Sequence, residues 1–183
     1  MKHRIFVTLG VSEKLKKAIF DWEESFRKEH PETWSQIRWL TPENLHITLV
    51  PPWYEDDEGV EKTKELLHSV EKRSFSLDFR QISYGPNPKQ PRLIWIEGQT
   101  SKDLIELKDN ILSVLDRRPE NRLFRLHLTI ARFRPEKFGS FSPKRIEETL
   151  IFREESAAIL LMESHLLRSG SEYVVLERFS ITD

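Results

Sequence analysis

The chain has 183 residues, of which 38% are hydrophobic and 32% are charged, and its formal net charge is −1. This length allows one domain with a sizeable core, and the near-neutral charge argues against a large nucleic-acid-binding surface. The absence of cysteine excludes disulfides, thiol nucleophiles and cysteine-based zinc sites. No signal-peptide pattern and no apolar run of membrane-spanning length occurs, so we expect a cytoplasmic protein with no membrane partner.

The first half of the chain alternates strand and helix patterns. Residues 4–9 are rich in β-formers and predict a strand, and Ser12 predicts the N-cap of an amphipathic helix that runs to about residue 28. The further elements are expected, in order, as a short strand at 37–40, a turn at 41–44, a strand at 45–50 that Pro51 and Pro52 end, an exposed acidic loop at 53–59 and a helix at 60–72.

The second half begins with a strand pattern at 75–82. It continues with a loop at 84–91, a strand at 92–97, a helix at 102–115, a polar connection at 117–124, a strand at 126–131 and a loop at 135–143. Ser142 is expected to cap a short helix over 143–150. Strands at 158–168 and 173–181, joined by a turn at 169–171, finish the chain. Few connections suit a parallel sheet, so the pattern predicts an α+β fold with antiparallel sheets.

Two six-residue segments, LHITLV at 45–50 and LHLTIA at 126–131, share one pattern of apolar and polar residues. Residues two apart in a strand share a face, so His46 and Thr48 would project together, as would His127 and Thr129. By composition alone, two such matches arise about once in a thousand chains. The repetition predicts a symmetric site with two imidazoles and two hydroxyls around one substrate group.

Two histidines and two hydroxyls suit acid–base chemistry at a phosphoryl centre. One imidazole can take a proton from the nucleophile while the other protonates the departing oxygen, and the hydroxyls can donate to oxygens that gain negative charge. Zinc is the alternative use of two histidines, but a catalytic zinc site usually adds a third ligand. The chain has no HExxH pattern and no carboxylate on either predicted histidine face, so we expect neither a metal nor another cofactor.

Basic residues surround the second motif. Residues 117–137 carry seven cationic and two anionic side chains, and this excess favours attraction of phosphate groups, with a solvated loop as the alternative. Strict alternation places Arg132 on the face opposite His127, so Arg132 reaches the site only if the strand bulges or ends there. Trp53, Tyr54 and Phe133 follow the motifs and are candidates for stacking on a base, although ordinary packing also explains them.

The two motifs and their flanking sequence resemble the two-histidine phosphoesterases. Within that superfamily they resemble the bacterial and archaeal RNA 2′,3′-cyclic phosphodiesterases, long labelled 2′-5′ RNA ligases. The similarity covers nearly the whole chain. The matching segments are RIFV at 4–7, RWLTPENLHITL at 38–49, RLIW at 92–95, HLTIAR at 127–132, LMES at 161–164 and GSEY at 170–173.

This resemblance implies a bilobal α+β fold over residues 1–183 as a single domain, with two antiparallel sheets facing a central cleft and helices outside. It implies metal-independent hydrolysis of RNA 2′,3′-cyclic phosphate ends to a 2′-phosphate. His46 would be the acid and His127 the base, while Thr48, Thr129 and Arg132 would hold the phosphate. The reverse reaction would be 2′-5′ RNA ligation. The expected partner is an RNA end, with tRNA fragments as candidates, and the expected state is a monomer.

Two departures from the family pattern and two alternative functions stay open. Leu126 stands where the family often has proline, and the acidic segment 55–58 makes a poor RNA-gripping surface. A small-molecule cyclic nucleotide phosphodiesterase would use the same residues. A non-catalytic RNA-end binding module is the second alternative, although binding alone does not need two proton-transfer groups.

Overall fold

The computed structural model describes residues 1–146, 148–156, 158–167 and 170–181. The strands of this part of the chain are β1 (His3–Gly10), β2 (Arg38–Trp39), β3 (His46–Glu55), β4 (Ser76–Gly85), β5 (Leu93–Gln99), β6 (His127–Arg132), β7 (Glu148–Glu155), β8 (Ala158–Leu167) and β9 (Gly170–Ser180). The α-helices are α1 (Glu13–Glu29), α2 (Pro31–Trp34), α3 (Asp57–His68) and α4 (Lys102–Val114). Short 3₁₀ helices lie at Pro42–Asn44 and Pro135–Ser140.

The strands form two sheets, in the orders β3-β1-β8-β9 and β2-β6-β5-β4-β7. Every strand pair is antiparallel. Each sheet carries one His–Thr strand: β3 is an edge strand of the first sheet, and β6 lies between β2 and β5 in the second. The prediction of an α+β fold with two antiparallel sheets is therefore confirmed.

Helices α1, α3 and α4 begin where the sequence supplies a side-chain cap. The Ser12 hydroxyl accepts the Leu15 N–H at the start of α1, and the Ser101 hydroxyl accepts the Leu104 N–H at the start of α4. Apolar residues three and four apart then give each helix one buried face; in α1 these are Leu15, Ile19, Trp22 and Phe26. Buried residues of both sheets and of these helices form one continuous hydrophobic cluster. No helix of the described residues is both long and apolar enough to cross a membrane.

The predicted end of the first His–Thr strand at Pro51 and Pro52 is wrong, because β3 continues to Glu55. An edge strand tolerates proline, since one side of its backbone needs no ladder partner. The two prolines also fall in a gap of the β1–β3 register, between the Val7–Val50 and Ile5–Trp53 pairs. The predicted acidic loop at 53–59 is wrong for the same reason. The Trp53 side chain is buried, and α3 begins at Asp57 with Asp56 as its cap.

The predicted helix over 143–150 is also wrong. The structure has strand β7 at Glu148–Glu155 instead, paired with β4 so that Phe152 lies opposite Phe79. Pairing with an otherwise open sheet edge outweighs the local helix signal. Smaller differences are that α3 ends at His68, that β4 extends to Gly85 into the predicted loop, and that Gly170 already belongs to β9. Residue 168 of the predicted strand at 158–168, residue 169 of the predicted turn at 169–171 and residue 147 of the predicted helix lie outside the described residues.

Candidate active site

The two His–Thr strands line one cleft of about 500 Å³ between the sheets. His46 and Thr48 of β3 lie on its wall, together with His127 and Thr129 of β6. The intervening Ile47 and Leu128 are fully buried on the opposite side of their strands. The alternation that the sequence shows therefore places all four polar side chains on the cleft.

Both imidazoles are held by the same local contact. The Nδ1 of His46 lies 2.7 Å from the Asn44 carbonyl oxygen, and the Nδ1 of His127 lies 2.8 Å from the Arg125 carbonyl oxygen. A carbonyl oxygen only accepts, so each Nδ1 carries the hydrogen and each Nε2 is the remaining nitrogen. Neither Nε2 has a hydrogen-bond partner among the described residues. The Thr48 and Thr129 hydroxyls likewise have none within that part of the chain.

Aromatic rings fix the planes of the two imidazoles. The His46 ring packs between Phe6 and Tyr173, with centroid distances of 5.2 Å to each. The His127 ring packs against Trp95 at 5.1 Å. These contacts restrict ring rotation, so the two Nε2 atoms are oriented before a ligand arrives.

The surroundings of His46 disfavour its charged form. The pKa of His46 is lowered to about 4, chiefly by burial and also by the nearby Arg132 and His127, while the Asn44 carbonyl opposes the shift in part. In the free protein His46 is therefore neutral at neutral pH. A bound anion would remove part of this penalty by placing negative charge beside His46 and Arg132.

Arg132 reaches the cleft because β6 bulges. Trp95 of β5 lies opposite Thr129 and Ile94 lies opposite Ala131, so Ile130 is an extra residue in β6. Ile130 and Ala131 are both buried, and the alternation resumes with Arg132 on the His127 side, where it lines the cleft. The strict alternation that would have turned Arg132 away does not apply here.

The first motif has the same irregularity at the same distance from its histidine. Thr8 of β1 lies opposite Thr48 and Val7 lies opposite Val50, which leaves Leu49 as the extra residue. Pro51 then occupies in β3 the position that Arg132 occupies in β6, and it also lines the cleft. The two halves of the site are therefore alike in backbone and differ in charge, with the arginine on one side only.

Only part of the basic segment at 117–137 faces the cleft. Its cationic lining residues are Arg122, Arg125 and Arg132. Arg117 instead lies over the Trp53 ring, 4.3 Å from the ring centroid. Arg92, which precedes β5, also lines the cleft, and nothing in the local sequence pattern indicates that it lies near the two motifs.

None of the three aromatic residues suggested for base stacking lines the cleft. Trp53 is buried and donates its Nε1–H to Glu55, and Phe133 packs in a cluster of rings with Phe141 at 4.8 Å. Tyr54 is exposed outside the cleft. The aromatic residues of the lining are Trp95 and Phe124 instead.

The two departures from the family pattern have structural explanations. Leu126 donates its backbone N–H to the Thr100 hydroxyl at 2.8 Å, a hydrogen bond that proline would not make. The acidic segment is used locally: Asp56 caps α3, and Asp57 contacts His3 and the N-terminal amine. Residues 55–58 do not line the cleft. Across the described ranges, no group of three or more His, Asp or Glu side chains is placed to hold a metal ion.

Comparison with known families gives a match to the LigT-like phosphoesterases over residues 9–95, which include the first His–Thr motif. Two archaeal relatives are named RNA 2′,3′-cyclic phosphodiesterase. The Archaeoglobus fulgidus protein is 28% identical over 131 residues, covering 70% of this chain and 72% of its own. The Methanothermobacter thermautotrophicus protein is 26% identical over an alignment of 192 positions, covering 99% and 100% of the two chains.

Solved structures share the fold over the whole chain. The Thermus thermophilus protein TT0787 superimposes with a TM-score of 0.77 at 19% identity, covering 97% of both chains. E. coli LigT, crystallised with 3′-AMP, superimposes with a TM-score of 0.76 at 21% identity and covers both chains completely. With two His–Thr strands on one cleft, a family-model match over residues 9–95 and archaeal relatives at 26% and 28% identity, the chain is similar to the LigT-like phosphoesterases.

Proposed function

We propose that the protein is a metal-independent RNA 2′,3′-cyclic phosphodiesterase that leaves a 2′-phosphate, and that residues 1–183 act as one bilobal domain. The observation that carries this proposal is the pair of Nε2 atoms and Thr hydroxyls on one cleft beside Arg132, which have no hydrogen-bond partner among the described residues. The names of the archaeal relatives support the same substrate class.

In the proposed reaction the Nε2 of His127 takes a proton from water as the water oxygen attacks phosphorus. The bond from phosphorus to the ribose 3′ oxygen breaks, and the Nε2 of His46 gives that oxygen a proton. Thr48, Thr129 and Arg132 donate to the non-bridging oxygens, where charge accumulates. Each proton transfer is typically worth about 10²–10⁴-fold in rate.

His46 must be protonated to act as the acid, although its pKa is about 4 in the free protein. The anionic substrate supplies the negative charge that raises this pKa, because it lies against both imidazoles and Arg132. Catalysis is thereby coupled to binding of a phosphate. If a 5′-hydroxyl of a second RNA end replaced water, the same proton transfers would yield a 2′-5′ linkage.

The test is hydrolysis of an oligonucleotide that ends in a 2′,3′-cyclic phosphate, with EDTA present. Wild type, His46→Ala and His127→Ala are compared, with the exposed His68→Ala as the matched control. We expect turnover to a 2′-phosphate that only the two cleft variants lose. Activity that EDTA abolishes, or a 3′-phosphate product, would contradict the mechanism.

Two further outcomes would select the alternatives. Turnover of a small cyclic nucleotide but not of the oligonucleotide would make the protein a small-molecule phosphodiesterase. Oligonucleotide binding without turnover in the wild type, weakened in His46→Ala, would make it an RNA-end binding module.

A further inference from the structure

Two arginines lie side by side at one end of the cleft. Arg38 of β2 is directly opposite Arg132 of β6 in the antiparallel register. Residues directly opposite each other in such a pair project from the same side of the sheet, with Cβ atoms about 5 Å apart. Arg38 therefore shares the cleft side with Arg132.

The neighbours of Arg38 in β2 support this orientation. Leu40, two residues on, lines the cleft, so alternation places Arg38 on the same side. Trp39 between them packs on the other side against the rings of Trp22 and Trp34. Arg38 itself is exposed, so its guanidinium is accessible beside the cleft.

Within the described part of the chain, the cationic groups at this end have no compensating carboxylates. Among the described residues no Asp or Glu lies within ion-pair distance of Arg38, Arg92 or Arg132. At the other end of β6 the cations are paired: Arg122 contacts Glu120 at 3.2 Å and Arg125 lies 3.8 Å from Glu97. Like charges directly opposite in a sheet are destabilising, so an unpaired Arg38–Arg132 juxtaposition favours an anionic ligand.

One anion does not account for all three guanidinium groups. In the proposed function Arg132 already binds the cyclic phosphate beside the two histidines. Arg38 flanks Arg132 from β2, on one side of β6. Arg92 flanks it from the β5 side, because the next residue, Leu93, is opposite Arg132. The two flanking arginines thus border the place where a second phosphate of the same RNA substrate would lie.

We propose that Arg38 and Arg92 bind the phosphodiester that precedes the terminal nucleotide, so that the preferred substrate is an oligonucleotide rather than a cyclic mononucleotide. This inference rests on the proposed function. It also gives the bound RNA a direction. The RNA leaves the cleft over the Arg132 end of β6, away from the carboxylates Glu97 and Glu120.

The test compares a nucleoside 2′,3′-cyclic phosphate with a dinucleotide that carries the same terminus and one internal phosphodiester. For Arg38→Gln we expect kcat/KM on the dinucleotide to fall about 10-fold more than on the mononucleotide, mainly through KM. Arg92→Gln is expected to act in the same direction, and Arg38→Lys to recover part of the loss. Arg73→Gln, which removes an exposed arginine that pairs with Glu71, is the matched control and should alter neither substrate.

Salt dependence and stability give independent readouts. In Arg38→Gln, the KM for the dinucleotide should depend less steeply on salt concentration than in the wild type. The difference in slope should correspond to the loss of about one phosphate contact. The unfolding midpoint of Arg38→Gln should equal or exceed that of the wild type, because a like-charge pair is removed. Equal losses on both substrates, or no loss on either, would overturn the inference. A wild type that hydrolyses neither substrate would overturn the proposed function instead.

Discussion

Acidification from pH 7.5 to pH 5 is expected to destabilise the protein through His46. Its pKa falls from 6.5 in the unfolded chain to about 4 in the folded protein. Between these values the unfolded state binds a proton that the folded state does not, so stability is lost as the pH drops below about 6.5. Linkage over this window gives a loss of about 2 kcal/mol from His46 alone.

The assay is urea unfolding at both pH values for wild type and His46→Gln, since glutamine keeps a hydrogen-bonding side chain but does not titrate. Other titratable groups also contribute to the pH dependence of the free energy of unfolding in both proteins. His3, for example, has a raised pKa because it bonds Asp57 and Glu163, and it acts in the opposite direction. The difference between the two proteins isolates His46. We expect the wild type to lose about 2 kcal/mol more than the variant. If both proteins lost the same free energy of unfolding on acidification, His46 could not be a buried, neutral imidazole.

Two further substitutions test single contacts of the site. Thr129→Val removes one hydroxyl without changing the side chain's shape, and we expect kcat to fall about 10²-fold with little change in KM; a change confined to KM would contradict a role in the transition state. Thr100→Val leaves the buried Leu126 N–H without its acceptor. We expect about 1–2 kcal/mol lower stability by urea unfolding and retained activity, and unchanged stability would contradict this assignment.

Sequence periodicity was sufficient for the two His–Thr strands and for the long helices. His46, Thr48, His127 and Thr129 follow the two-residue period of a strand, and a half-buried strand has to place them on one face. The Ser12 cap similarly marks the start of α1. These features depend on neighbours in the chain, so local reasoning reaches them.

Features that depend on strand pairing could not be predicted from local sequence patterns. Arg132 joins the site because Ile130 is an extra residue opposite β5, and the sequence of β6 does not show that bulge. The position of Arg38 depends on the register between β2 and β6, which are far apart in the chain. The local sequence pattern places residues 148–150 in a helix, and only their pairing with β4 shows that they belong to a strand.

The most direct test of the two-histidine account is a double-variant cycle on the cyclic-phosphate oligonucleotide. If His46 and His127 serve one transition state, each single alanine variant should lose nearly all activity, and the double variant should be no worse than the poorer single one. This strong non-additivity is what the account predicts. Losses that multiply in the double variant, or a single variant that keeps most of its activity, would contradict it.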